Sequence, residues 1–289
     1  MGEAPQGNWF VRWWRGFVVA PLQRAEDEAR ANLNGPNAAA VGRKALIVLI
    51  LTALLLTLQR YLCMYDGLDR LAESFTGTWW GNWLERYVEG FGNPFDRPQR
   101  RLPFLRHWAI GCVVFYFVLP ALVVWFVFRQ RLSDYGWKLR GAFADYWVYL
   151  VMFAIVGPLV LLVSLDGHFQ YTYPFLLLGR GQPLWPSFWI WEGLYAAQFL
   201  ALEFFFRGFV LHGLRPRFGA YAIPVMTVPY CMIHLLAKPL PESLASIIAG
   251  LALGFMSLRT RSIWMGTAIH ITVAGLMDLT SLWRKGLLF

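Results

Sequence analysis

The sequence predicts an all-α, polytopic membrane bundle of about seven transmembrane helices with amphipathic helices at the interface, and three observations carry that expectation. Composition is the first: of 289 residues, 57% are hydrophobic and 15% charged, with a mean hydropathy of +0.45, whereas soluble domains carry about 25% charged residues. Segmentation is the second, because seven apolar runs alternate with short basic or proline-containing connections. Charge placement is the third. The net charge of +9 gathers at the ends of those runs, as expected for helix flanks beside anionic head groups rather than for a nucleic-acid partner.

The elements follow in order. Residues 1–44 form a cytoplasmic or interfacial N-terminal segment. In it, Trp9 to Ala20 reads as an interfacial helix with Trp9, Trp13, Trp14 and Phe17 toward lipid, interrupted at Pro21 and too broken by Arg12 and Arg15 for a cleavable signal. Leu22 to Lys44 reads as a polar lead-in. Residues 45–289 are the transmembrane domain, whose motif-bearing core is 187–282. Ala45 to Leu62 is the first span. The connection from Cys63 to His107 balances six arginines against six carboxylates, and the mixed spacing of Leu68 to Phe91, with Trp79, Trp80 and Trp83, predicts an amphipathic interfacial helix. Trp108 to Phe128 is the second span and Tyr146 to Leu165 the third, with a kink expected at Gly157-Pro158. Asp166 to Pro186 reads as an aromatic loop. Span four starts at Ser187 and runs to Leu214, span five covers Gly219 to Leu236, a turn follows at Pro239 to Glu242, and spans six and seven cover Ser243 to Leu258 and Ser262 to Leu282. The basic connections fall on one side of such a bundle, which predicts a multi-pass membrane protein with a cytoplasmic N-terminus. Cys63, Cys112 and Cys231 have neither disulfide nor metal spacing.

The chemistry concentrates in span four. At about 100° per residue, Glu192 and Glu203 return to within about 20° of one direction and Arg207 follows about 40° on, so three ionisable groups share one helix face. A charge facing lipid costs at least about 2.5 to 3.5 kcal/mol, so that face turns inward, and Arg207 needs a carboxylate partner in Glu203 or Glu192. The other polar singletons are His234 on span five and His270 on span seven. At about 1.5 Å per residue, Glu203, His234 and His270 lie about 16, 22 and 12 Å from the basic side, within one slab about 10 Å thick. A carboxylate and an imidazole around a water can act as general base, and a second histidine can donate to an oxyanion, which suffices for amide hydrolysis without a Ser or Cys nucleophile. His-Glu-x-x-His, Gly-x-Ser-x-Gly and Gly-x-Gly-Asp are missing. No cofactor is expected. Zinc on Glu203, His234 and His270 is the alternative, since two histidines and one carboxylate are a known ligand set.

Leu202-Glu203-Phe-Phe-Phe-Arg207, Tyr230-Cys-Met-Ile-His234 and His270-Ile-Thr-Val-Ala274 together resemble the CPBP family, the Abi-like CAAX prenyl endopeptidase and bacteriocin-processing intramembrane glutamic proteases. Its motifs are Glu-Glu-x-x-x-Arg, Phe-x-x-x-His and His-x-x-x-Asn, each on its own transmembrane helix, and the resemblance covers about Glu192 to Leu282. It implies an intramembrane endopeptidase that hydrolyses a peptide bond in a membrane-anchored or lipidated protein or peptide, with Glu203, His234 and His270 catalytic and Arg207 and Glu192 supporting. Leu202 stands at the first motif glutamate, the residue assigned to activating water, and Ala274 at the oxyanion-binding asparagine. Asp278, two turns beyond His270, is the candidate to replace that asparagine. A catalytically inactive relative that binds membrane peptides, and a small-solute carrier, are the alternative readings.

Overall fold

The computed structural model describes residues 8–92, 97–179, 181–235 and 240–288, and the described residues form helices joined by turns, with no strand among them. Helix α1 (Trp9–Trp14) passes through a π-helical turn into α2 (Ala20–Asn34); α3 (Ala38–Cys63) follows, then α4 (Tyr65–Ser74) and α5 (Trp79–Glu89). Helices α6 (Leu102–Val113) and α7 (Leu119–Leu122), with π-helical turns after each, make one apolar run to Val127. Helix α8 (Tyr146–Val163) and the short α9 (Gly167–Thr172) precede α10 (Ser187–Glu203), a π-helical stretch Phe204–Val210, α11 (Leu211–Phe218) and α12 (Ala222–Leu235). Helices α13 (Leu240–Thr260) and α14 (Trp264–Arg284) complete the chain.

Six helical runs are long and apolar enough to cross a membrane, and the protein is an integral, multi-pass membrane protein. Spans four and five of the sequence reading are one of these runs, Ser187–Leu235, and it folds back on itself. On a straight helix Phe206 and Tyr230 would stand about 36 Å apart, yet their rings lie 5.2 Å apart. The reversal occurs at Gly219, whose φ of 56° and ψ of −129° suit a residue without Cβ. The returning arm α12 has 14 residues, about 21 Å of helix, shorter than the about 30 Å hydrocarbon core. The expected turn at Pro239, and Leu236 at the end of span five, lie outside the described residues.

This folded-back run is the centre of the bundle. Its most apolar window is 72% buried, against 17 to 44% for the other five, because Phe204, Phe205, Phe206 and Phe209 are fully enclosed by Tyr116, Tyr135 and neighbouring apolar side chains. Outer helices instead present leucine and isoleucine to lipid, as at Leu46, Ile50 and Leu54 of α3.

Two local readings are corrected. Pro21 does not interrupt the N-terminal helix: it enters at the start of α2 after a π-helical turn, where a missing N–H removes no regular helical bond. Nor is 22–44 only a polar lead-in. Helix α2 docks on the Gly219 reversal through the Glu26 carboxylate, which accepts from Ala220 N at 2.9 Å, and through Asn32 Nδ2, which donates to Pro216 O at 3.3 Å. Its buried side chains are Pro21, Ala25 and Ala29, so close approach and polar contacts replace the apolar stripe that sequence periodicity detects. The expected amphipathic helix is a pair, α4 and α5, with Trp79, Trp80 and Trp83 exposed. The proline at 158 lies inside an unbroken α8.

Candidate active site

Glu203 ends α10 and Arg207 sits in the π-helical stretch that follows; both are fully buried. Guanidinium Nη1 lies 2.9 Å from Glu203 Oε1, which answers the need of a buried cation for a carboxylate. The wide π turn leaves backbone groups out of the regular ladder, and Ser257 of α13 donates its hydroxyl to Arg207 O at 3.1 Å. His212 Nε2 stands 3.2 Å from that Ser257 Oγ. These two residues carried no signal in the sequence beyond being polar in apolar runs.

From α14, His270 brings Nδ1 to 2.8 Å from the same Glu203 Oε1. The contact is short but oblique, for neither atom has a partner in hydrogen-bond alignment among the described residues. Such contacts are common in unliganded sites and tighten when substrate binds. His270 stacks on Phe199, with centroids 5.4 Å apart, and its Nε2 stands 3.3 Å from the Tyr230 hydroxyl. Tyr230 also lies under Arg207, whose guanidinium carbon is 4.0 Å from the ring centroid, a cation–π contact. His234, one turn along α12 from Tyr230, packs edge-on to that ring at 4.8 Å and contacts Tyr230 O through Nδ1 at 2.8 Å. Arg207, Glu203, His270, Tyr230 and His234 thus form one connected chain of polar groups, with the two imidazoles flanking a tyrosine.

Tyr230 is the residue that sequence reasoning undervalued. At the position of the motif phenylalanine it adds a hydroxyl to an otherwise apolar turn, and that hydroxyl is the atom next to His270 Nε2. Leu202 packs into the apolar core at 6% exposure, and Ala274 into a cluster with Trp191 and Tyr195. Neither position contributes a polar group.

Glu192 and Asp278 do not join this site. They stand beside each other, and Asp278 Oδ2 accepts from Trp191 Nε1 at 3.3 Å. Along α10, Glu192 stands about 16 Å from Glu203, and along α14 Asp278 stands about 12 Å from His270, so the two carboxyls form a second polar layer. One face of α10 therefore carries both layers, and helix angle alone did not separate them.

The donors do not fit zinc. Glu203 Oε1 is already matched to the Arg207 guanidinium at 2.9 Å, so a zinc ion on that oxygen would set two cations side by side. No group of three His, Cys, Asp or Glu side chains at metal-binding spacing occurs among the described residues.

Gly266 of α14 makes room for the carboxylate: a Cβ there would lie 2.6 Å from Glu203 Oε2. Because Arg207 and His270 hold Glu203 in place, Gly266→Ala is expected to destabilise the protein by about 1 to 3 kcal/mol, as overpacking does. Gly275→Ala, whose Cβ would stay 3.9 Å from Glu192 Oε2, is expected to be tolerated. Thermal unfolding of both variants in detergent micelles checks the contrast.

No curated protein and no solved structure matches the chain. Residues 183–276, which hold α10 to α13, the π-helical stretch and the first part of α14, match the family model described as type II CAAX prenyl endopeptidase Rce1-like. Three helices that this segment supplies converge on the Glu203, Tyr230 and His270 contacts, and the chain therefore carries an Rce1-like domain of the CPBP family over residues 183–276.

Proposed function

We propose that the protein is a metal-independent intramembrane endopeptidase that hydrolyses a peptide bond in a membrane-anchored or lipidated protein tail, with His270 as general base and Glu203 as the carboxylate that holds it. The observation that carries this reading is the buried sequence of contacts from Arg207 through Glu203 to His270 and Tyr230. When the contact between Glu203 and His270 Nδ1, 2.8 Å in length, tightens into a hydrogen bond on substrate binding, Nδ1 carries the hydrogen and Nε2 is left basic.

Catalysis then follows from proton bookkeeping. Nε2 takes a proton from water as its oxygen adds to the peptide carbonyl, and the Tyr230 hydroxyl donates a hydrogen bond to the developing oxyanion. Glu203 stabilises the imidazolium. That imidazolium returns the proton to the leaving amine as the carbon–nitrogen bond breaks, which restores neutral His270. His234 packs against the Tyr230 ring and orients the water. On this reading Glu203 is a positioning residue, which accommodates leucine at position 202. The Rce1-like match supports the substrate class.

A second reading has its own observation: the first motif position is an apolar leucine in the core, so the domain binds a membrane peptide without cutting it. Reconstitution of the full chain with prenylated tail peptides and leader-type peptides in ¹⁸O-labelled water separates the two. Hydrolysis is expected to place one ¹⁸O in the new carboxylate and to persist within about twofold under 1,10-phenanthroline, since no step uses a metal. Saturable binding with no product from any peptide would assign the binding role.

A further inference from the structure

Outside this site, a charged cavity lies at the end of the bundle marked by Arg215 and Arg259. It holds about 490 Å³ and is lined by Arg24, Arg215, Arg259 and Arg261 against Glu28 and Asp145, an excess of two positive charges. Its volume is in the about 300 to 1,000 Å³ range of small-molecule sites. We infer that this cavity is a binding site for the phosphate head group of an anionic membrane lipid.

The walls come from four places in the chain. Helix α2 supplies Arg24 and Glu28, α11 supplies Arg215, the turn before α8 supplies Asp145, and the end of α13 supplies Arg259 with Arg261 just after it. Two of the arginines are committed to carboxylates: Arg259 grips Asp145 in a fork at 2.7 and 3.2 Å, and Arg215 pairs with Glu28. Arg24 is not; its Nε donates to Ala20 O at 3.3 Å, and it has no carboxylate partner among the described residues. Arg261 shares Glu28 with Arg215 at 3.1 Å, so one carboxylate serves two guanidinium groups. Arg215 is buried to 6% exposure, and its Nε has no hydrogen-bond partner among the described residues. A guanidinium N–H buried without a partner is destabilising, and a phosphate would satisfy it with the bidentate geometry guanidinium favours.

Position selects a lipid over a free ion. Arg259 stacks over Phe17 at 4.1 Å, and Phe17 is flanked by Trp13 at 5.1 Å and Trp147 at 5.6 Å. Both tryptophans are exposed. The arginine cavity is thus continuous with an aromatic face at the level where helices leave the bilayer, the arrangement that takes head group and chains together. This inference is independent of the protease reading.

Native mass spectrometry of the detergent-solubilised full chain, titrated with phosphatidic acid, phosphatidylcholine or inorganic phosphate, tests it. One phosphatidic acid is expected to bind at least tenfold more tightly than phosphatidylcholine. Arg24→Gln with Arg261→Gln is expected to reduce that affinity tenfold or more, while Arg43→Gln with Arg129→Gln, at exposed positions outside the cavity, leaves it within twofold. Arg24→Gln alone, at an exposed position, gives the same direction should the double variant not fold. Unchanged affinity in both Arg24 variants would overturn the site, and inorganic phosphate binding as tightly as phosphatidic acid would overturn its assignment to a lipid.

Discussion

Replacing Arg207 with methionine is expected to lower stability by about 3 to 5 kcal/mol, among the largest losses any single substitution in this chain should produce. Glu203 would keep its burial and lose the cation 2.9 Å away, and no water at the helix exterior can reach it. Adding Glu203→Gln to Arg207→Met removes the stranded charge, so the double variant is expected to recover more than half of the loss, whereas two independent defects would add. Arg215→Met is the contrast: its partner Glu28 is 51% exposed and keeps Arg261 at 3.1 Å, so loss of that ion pair itself is expected to cost less than about 1 kcal/mol. Unfolding of the variants in mixed micelles, compared through the double-mutant cycle, reads the coupling. A double variant as unstable as Arg207→Met would show that the pair is not what holds this part of the bundle.

Much of this arrangement was legible in the residues. Apolar runs ended by basic residues identified the spanning helices, with the starts of the first two six or seven residues late, because lipid leaves a backbone few other ways to be satisfied. Arg207 announced its pairing with Glu203, since a buried guanidinium in an apolar run admits few partners. The reversal at Gly219 fitted the separation of two spans, and the depth estimate brought His270 to the level of Glu203. What the residues did not convey was lateral position. Glu192 and Glu203 share a helix face, but a face about 16 Å long meets different neighbours at its two ends, and Asp278 answers the upper one. Tyr230 was hidden for a different reason: a tyrosine among aromatics reads as packing until its hydroxyl has a neighbour. Helix α2 escaped because alanines and carboxylates dock it, and these leave no hydrophobic period. The π-helical stretch at Phe204–Val210 has no sequence signature that single-residue propensities report, yet it sets the direction in which Arg207 points.

Cleavage is expected to fall by about 10² to 10⁴ in His270→Ala, the range associated with losing a positioned general base. Glu203→Gln, placed in the Arg207→Met background so that no charge is stranded, is expected to approach the same loss although it leaves both imidazoles in place. The reason is tautomeric: an amide at position 203 can present N–H as readily as oxygen to Nδ1 and no longer stabilises the imidazolium, so Nε2 is not kept basic. Adding His270→Ala to that background is then expected to cost little more, because residues that act as one unit do not contribute additively. His234→Ala should behave otherwise. Its link to the chain runs through Tyr230 and not through Glu203, so its loss should multiply with the Glu203→Gln loss. Single-turnover cleavage in vesicles, with kcat/KM compared across the set, measures each term. Full multiplicativity between Glu203→Gln and His270→Ala would mean that the carboxylate acts on the water directly and that the imidazole does not depend on it.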